Sequence, residues 1–129
     1  MAQPEGLTLE FVGPEHVNAK CLETFPYEGP RQRVVYTTTE FSAVCPFSGL
    51  PDIGKVIVEY IPAKSVVELK SLKYYYLSYR NVGIYQEHAT SLIYRHLFDC
   101  LKPQELKISV TYQTRGGIDT TTSVSSLEQ

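Results

Sequence analysis

The chain has 129 residues, 43% hydrophobic and 20% charged, with ten Tyr, no Trp and a formal net charge of -2. That size and mixture predict one domain over residues 1–129 with a single core, and they exclude a disordered or fibrous chain. The slight acidic excess argues against direct nucleic-acid binding, and the lack of an apolar run near the ~20 residues of a bilayer span argues against a membrane partner.

Met1 to Val12 lacks the basic-then-apolar layout of a secretory signal, so a cytoplasmic location is expected. Residues 1–31 hold Pro4, Gly6, Gly13, Pro14, Pro26, Gly29 and Pro30, which predicts an irregular N-terminal arm ahead of a core over 32–124. From Gln32 to Val44 the run is dense in β-branched and aromatic residues and reads as a strand. Two prolines and a glycine in Cys45 to Asp52 (CPFSGLPD) predict a loop, and Lys55 to Ile61 a second strand ended by Pro62.

Ser65-Val66-Val67-Glu68 has the S-x-x-E form of a capping box, which predicts a helix starting there. Leu69, Leu72, Tyr76 and Tyr79 continue it as one apolar stripe, with Gly83 as a stop. A second helix follows from Ala89, Ile93, Leu97 and Leu101 at four-residue steps, widened by Leu92 and closed by Pro103. Leu106 to Tyr112 alternates as a half-buried strand; after Arg115-Gly116-Gly117, the Thr-rich stretch Ile118 to Val124 is expected to pair as a last strand before a polar tail over 125–129. The order β-β-α-α-β-β predicts an α+β fold, with both helices on one face of an antiparallel sheet whose free edges invite pairing between subunits.

Cys21, Cys45 and Cys100 form no CxxC pair and are odd in number, so reduced thiols are expected. His16, His88 and His96 are scattered, which leaves a metal site unsupported. Cys45 ends a strand before a Pro/Gly loop, where a scaffold can present a nucleophile, although a lone cysteine is more often a small buried hydrophobe. Asp52 lies seven residues on; a thiol adding to an electrophilic carbon needs a partner to handle the proton, but Pro-Asp is also a common turn pair. Lys70 and Lys73, about one helical turn apart, could grip a phosphate, although a solvated helix face is the commoner meaning of a simple basic pair. Glu87, near a helix start, is favoured there by the dipole whether or not it binds a ligand.

The octapeptide Glu68-Leu69-Lys70-Ser71-Leu72-Lys73-Tyr74-Tyr75 resembles the signature helix of the 7-cyano-7-deazaguanine reductases, the nitrile reductases of queuosine biosynthesis, in their short single-module form. The Cys45–Asp52 loop, Arg80-Asn81 and Thr114-Arg115-Gly116-Gly117 are similar to the same family, and the likeness runs from about Glu40 to Gly117. It implies that Cys45 attacks the nitrile carbon to give a thioimide, that Asp52 donates the proton, and that two hydride transfers from NADPH complete the reduction. It implies substrate contacts at Val67, Glu68, Leu69, Gln86 and Glu87, with Glu87 on the purine-like edge, and cofactor-phosphate contacts at Lys70, Lys73 and Arg115.

The same resemblance implies the tunnelling fold, assembled edge to edge into an oligomeric barrel with active sites between subunits. One residue departs from the family: many members have His where this chain has Gln86, so a relay role for that His does not carry over. No G-x-G-x-x-G follows a strand, so NADPH would bind without a Rossmann domain. The competing readings are a related amidinotransferase acting on tRNA, a zinc-dependent pterin-forming cyclohydrolase, and a non-catalytic purine-binding module on the same scaffold.

Overall fold

A computed structural model describes residues 9–129; Met1 to Thr8, the start of the expected arm, lie outside the described residues. The elements are β1 (Thr24–Pro26), β2 (Val34–Val44), β3 (Pro51–Ile61), β4 (Ser65–Val67), α1 (Leu69–Leu77), α2 (Gln86–Leu101), β5 (Glu105–Tyr112) and β6 (Thr121–Ser125), with single 3-10 turns at Pro14–His16, Ala19–Cys21 and Ser126–Glu128. The main sheet has the order β2-β3-β5-β6, all neighbours antiparallel, and both helices fall between β3 and β5 in sequence. This is the expected α+β arrangement, with a second sheet added.

The added sheet pairs β1 with β4 through Thr24↔Val67, Phe25↔Val66 and Pro26↔Ser65. It corrects two expectations. Part of the arm is regular, and Ser65 does not cap a helix: Val66 and Val67, β-branched and suited to a pleated surface, pair with a strand some forty residues upstream. Glu68 is the residue that caps α1, its carboxylate accepting from the backbone N–H groups of Lys70 at 2.9 Å and Ser71 at 2.8 Å. Of the expected stripe, Leu72 and Tyr79 are buried and Tyr76 packs against the core, while Leu69 is 56% exposed and Ser71 and Tyr75 are buried beside it.

β3 alternates faithfully. Asp52, Gly54, Val56, Val58 and Tyr60 face the helices, and Pro51, Ile53 and Lys55 face out. Val56, Val58 and Tyr60 join Phe41, Ala43, Leu106, Ile108 and Val110 of the neighbouring strands and Leu72, Tyr75, Ala89, Ile93, Leu97 and Leu101 of the helices in one core. Each buried aliphatic side chain contributes about 1.5–3 kcal/mol, so removing the helical layer would leave the sheet's inner face without its main support. Beyond α1 the chain crosses back beside the end of β2: Val44 N–H donates to Val82 O at 2.9 Å, and Ile84 N–H to Val44 O at 3.0 Å. Gly83 is needed there because a Cβ would lie 2.3 Å from the Phe11 ring. β6 runs on to Ser125, so the expected tail begins as strand and closes in a 3-10 turn. No helix among the described residues is long and apolar enough to cross a membrane.

Candidate active site

The β2–β3 ladder runs to Val44↔Pro51, and its connection closes on itself: Cys45 N–H donates to Leu50 O at 2.9 Å and Gly49 N–H to Cys45 O at 2.8 Å, with Gly49 at φ +74. The expected loop therefore stops at Leu50, and Asp52 is a strand residue. This matters chemically because strands alternate. Asp52 stands opposite Ala43, and Cys45, two residues beyond Ala43, leaves the same helix-covered face. Cys45 and Asp52 are thus diagonal neighbours, a relation that places Cα atoms about 7–8 Å apart and long side chains within reach.

Arg115 joins them. Gln113 N–H donates to Ile53 O at 2.9 Å, extending the β3–β5 pairing past Tyr112 and bringing residue 115 alongside the start of β3. Arg115 and Ile118 then exchange two backbone hydrogen bonds of 3.0 Å around Gly116 (φ +59) and Gly117 (φ +76), a tight two-residue turn that only residues tolerating positive φ accept at low cost. From it the Arg115 guanidinium donates through Nη1 to Asp52 Oδ1, pairing a carboxylate that is only 4% exposed. The Asp52 carboxylate first, and the Cys45 side chain after it, hold the guanidinium above its ordinary range.

Burial alone pushes the Cys45 thiol up, but hydrogen bonds from the Ser48 side chain, from the backbone of Ser48 and Phe47, and from Arg115 outweigh it and bring the thiol below its ordinary value. The thiolate is the form that attacks carbon, and a lowered thiol supplies more of it. Cys21 and Cys100 move the opposite way, raised chiefly by burial. Among the three, only Cys45 has the environment of a nucleophile.

Gln86 and Glu87 open α2, which starts without a side-chain cap and lies next to Ile84, tied to Val44. Thr90 Oγ1 and the Tyr112 hydroxyl donate to Gln86 O at 3.2 and 3.4 Å. The Tyr112 phenol is raised by burial, then by the Asp52 charge and more weakly by Glu87, so one ring lies within the field of both carboxylates. Five predicted residues, Cys45, Asp52, Arg115, Gln86 and Glu87, therefore gather at one end of the sheet. Beside them a cavity of about 410 Å³ is lined by Pro46, Tyr85, His88 and Arg95, among others.

The rest lie elsewhere. Val67 N–H donates to the Tyr60 hydroxyl at 3.2 Å, which anchors Val67, Glu68 and Leu69 near the far end of β3 from Asp52. Eight residues of strand separate Tyr60 from Asp52, about 26 Å at ~3.3 Å per residue. Val67 is buried, and the Glu68 carboxylate is held down by its two backbone donors. Lys70 and Lys73 are exposed on α1, Lys70 over the Tyr74 ring. Lys73 makes no ion pair among the described residues and lines a cavity of about 490 Å³ that reaches Arg80, Ser42 and Ile53. Ser42 and Ile53 point away from the face that carries Cys45 and Asp52.

Ser48 and Tyr112 are site residues that sequence reasoning missed. A serine three residues past the cysteine, in a turn that must fold back, was the available signal for Ser48. Tyr112 read only as the inward end of an alternating strand. No group of three or more His, Cys, Asp or Glu side chains is placed to hold a metal among the described residues.

A family model described as QueF-like protein matches residues 51–129. The NADPH-dependent 7-cyano-7-deazaguanine reductase of Thermotoga maritima is 51% identical to the chain, covering 99% of this chain and 94% of the relative. The reductase of the same name from Chlorobium phaeobacteroides is 54% identical over 82% of this chain and 92% of its own length. Among solved structures, the apo form of an archaeosine synthase, QueF-Like, superposes with a TM-score of 0.67 at 25% identity, over 77% of this chain and 96% of that one. With that fold and these matches over most of its length, the chain belongs to the family of the NADPH-dependent 7-cyano-7-deazaguanine reductases.

Proposed function

We propose that this chain reduces the nitrile of 7-cyano-7-deazaguanine to an aminomethyl group in queuosine biosynthesis, using NADPH and a covalent thioimide on Cys45. The observation that carries the reading is the strand register that puts Cys45 and Asp52 on one face, with Arg115 paired to Asp52. Cys45 is the nucleophile: its sulfur bonds to the nitrile carbon as one carbon–nitrogen π bond breaks. Asp52 is the proton carrier, taking the thiol proton and delivering it to the nitrogen, so addition consumes no outside acid.

Gln86 and Glu87 bind the purine-like part of the substrate. Glu87 is exposed at an uncapped helix start, where its carboxylate accepts from ring N–H donors and the Gln86 amide adds a donor and an acceptor. NADPH supplies the hydrides that carry the thioimide carbon to the amine oxidation level. Lys70 and Lys73 would hold its phosphates, a fit supported by the exposure of both ammonium groups and by Lys73 lacking a carboxylate partner among the described residues.

In a single chain the Val67–Lys73 group and the Cys45 group stand apart, so the reading includes a cytoplasmic homo-oligomer in which one subunit's α1 completes the site of the next. The edges to join are present: β2 and β6 border the main sheet. Each 129-residue chain acts as one domain in that assembly. The amidinotransferase alternative draws support from the archaeosine synthase fold, but the Lys70, Ser71 and Lys73 helix and the 51% identity to a reductase favour NADPH chemistry.

Mixing protein, nitrile and NADPH should consume the nicotinamide absorbance, and protein with nitrile alone should gain the mass of one nitrile on the peptide holding Cys45. NADPH oxidation that survives Cys45→Ala, or an adduct on Cys21 or Cys100, would overturn the reading.

A further inference from the structure

The covalent step asks Asp52 to take and deliver a proton while its carboxylate is paired to a guanidinium. Asp52 is nine-tenths buried and faces no other cation, since Arg115 is its one ion-pair partner among the described residues. Arg115 is carried by the Gly116-Gly117 turn and donates to the Asp52 carboxylate, whose strand position is diagonal to Cys45, and its charge helps to lower the Cys45 thiol. Two acceptors for negative charge therefore share one fixed cation.

Resting on the function proposed above, we infer that Arg115 is a positioning residue for the covalent step, a guanidinium that stays beside whichever of Cys45 and Asp52 is the anion while one proton passes between them. In the resting state the proton is on sulfur and Arg115 pairs the Asp52 carboxylate. As the S–H bond breaks the proton moves to an Asp52 oxygen, and the charge that Arg115 faces moves to the thiolate. The sulfur then bonds to the nitrile carbon, one π bond opens towards nitrogen, and the nitrogen takes the proton back from Asp52. The product is the neutral thioimide with the Asp52–Arg115 pair restored. The sum is addition of S–H across C≡N, with no oxidant or reductant and no change in the net charge of the buried cluster. That constancy is the advantage, because creating an unpaired buried charge is costly.

Resemblance assigns Arg115 to a cofactor phosphate instead, and the two roles separate cleanly. Iodoacetamide, which is uncharged, alkylates Cys45 as thiolate, so its rate against pH, read by mass spectrometry on the Cys45 peptide, reports the thiol without nitrile or NADPH. For Arg115→Gln the profile should move alkaline by about one pH unit, with alkylation at pH 7 about tenfold slower, and Arg115→Lys should recover part of the loss. Thermal melts and sizing of both variants establish that they fold; Arg115→Lys keeps the charge and serves alone if Arg115→Gln does not. Profiles in folded variants that overlay the wild type, with only the KM for NADPH raised, would overturn the inference and leave Arg115 a phosphate ligand. Failure of the nitrile to react at all would instead count against the function, since the alkylation profile does not depend on it.

Discussion

The two ends of β3 carry different parts of the same machinery and are built by different means. At the Asp52 end, backbone pairing does the positioning: a closed hairpin, an extended β3–β5 ladder and a two-glycine turn converge on Cys45, Asp52 and Arg115, while α2 brings Gln86 and Glu87. At the Tyr60 end, a short sheet made from the arm and β4 presents α1, whose Glu68 carboxylate is taken up by its own helix and whose lysines stand in solvent. The first region gathers the proposed nucleophile and proton carrier, with Arg115 paired to Asp52. The second exposes two lysines, and the thiol nearest it, Cys21, is raised by burial. The difference teaches that, within one chain, the residues proposed for the chemistry and those proposed for the cofactor phosphates lie at opposite ends of one strand.

Substitutions at the two ends should fail in different ways. The largest effect is expected at the reaction centre: Asp52→Ala removes the proton carrier and Arg115's partner, and adduct formation on Cys45 should slow by about 10²–10⁴-fold, the usual range for a lost acid–base group. Rapid-quench mass spectrometry checks it, and a rate near wild type would take Asp52 out of the chemistry. At the other end, Lys73→Ala should raise the KM for NADPH by roughly tenfold, the order expected from one charge-assisted hydrogen bond, and leave adduct formation unchanged. A slower adduct in that variant would erase the distinction between the ends.

A smaller effect belongs to the core between them. The Tyr75 hydroxyl shares hydrogen bonds of 2.7 Å with Tyr79 and with His96 Nδ1. Tyr75→Phe should cost about 1 kcal/mol by denaturant melt and leave both kinetic readouts alone. His96 is held below its ordinary 6.5, mainly by burial. Below that value the unfolded chain binds the extra proton more readily than the folded one, so this contribution to stability is intact above about pH 6.5 and is lost as pH falls through the lower folded value. Melts between pH 7 and pH 5 should show stability declining with acid.

The Asp52 end was largely legible in the sequence, because its residues sit in dense local signals: a β-branched run, a Pro/Gly loop, an alternating strand and a Gly-Gly turn. What local pattern missed was the exact closure of the loop at Leu50, which decides that Asp52 and Cys45 share a face. Ser65 to Glu68 was misread for a related reason. S-x-x-E is a local pattern, whereas the pairing that makes Ser65–Val67 a strand comes from Thr24–Pro26, inside an arm whose prolines suggest no regular structure. Arg115 was named, but its contact with Asp52 depends on a ladder between residues sixty apart, which no spacing in the chain reveals. Lys73 was legible only through resemblance, since a basic pair on an exposed helix carries no signal of its own.

The account stands on the two ends meeting between copies of the chain. A Cys45→Ala chain and a Lys70→Ala/Lys73→Ala chain should each be nearly inactive when assayed at NADPH well below the variant's KM. If each site takes its cysteine from one subunit and its lysines from another, random mixed oligomers should regain about a quarter of wild-type activity, because about one site in four then has both parts intact. Mixed oligomers that remain as inactive as their parents would show that a chain completes its own site, and would contradict the account.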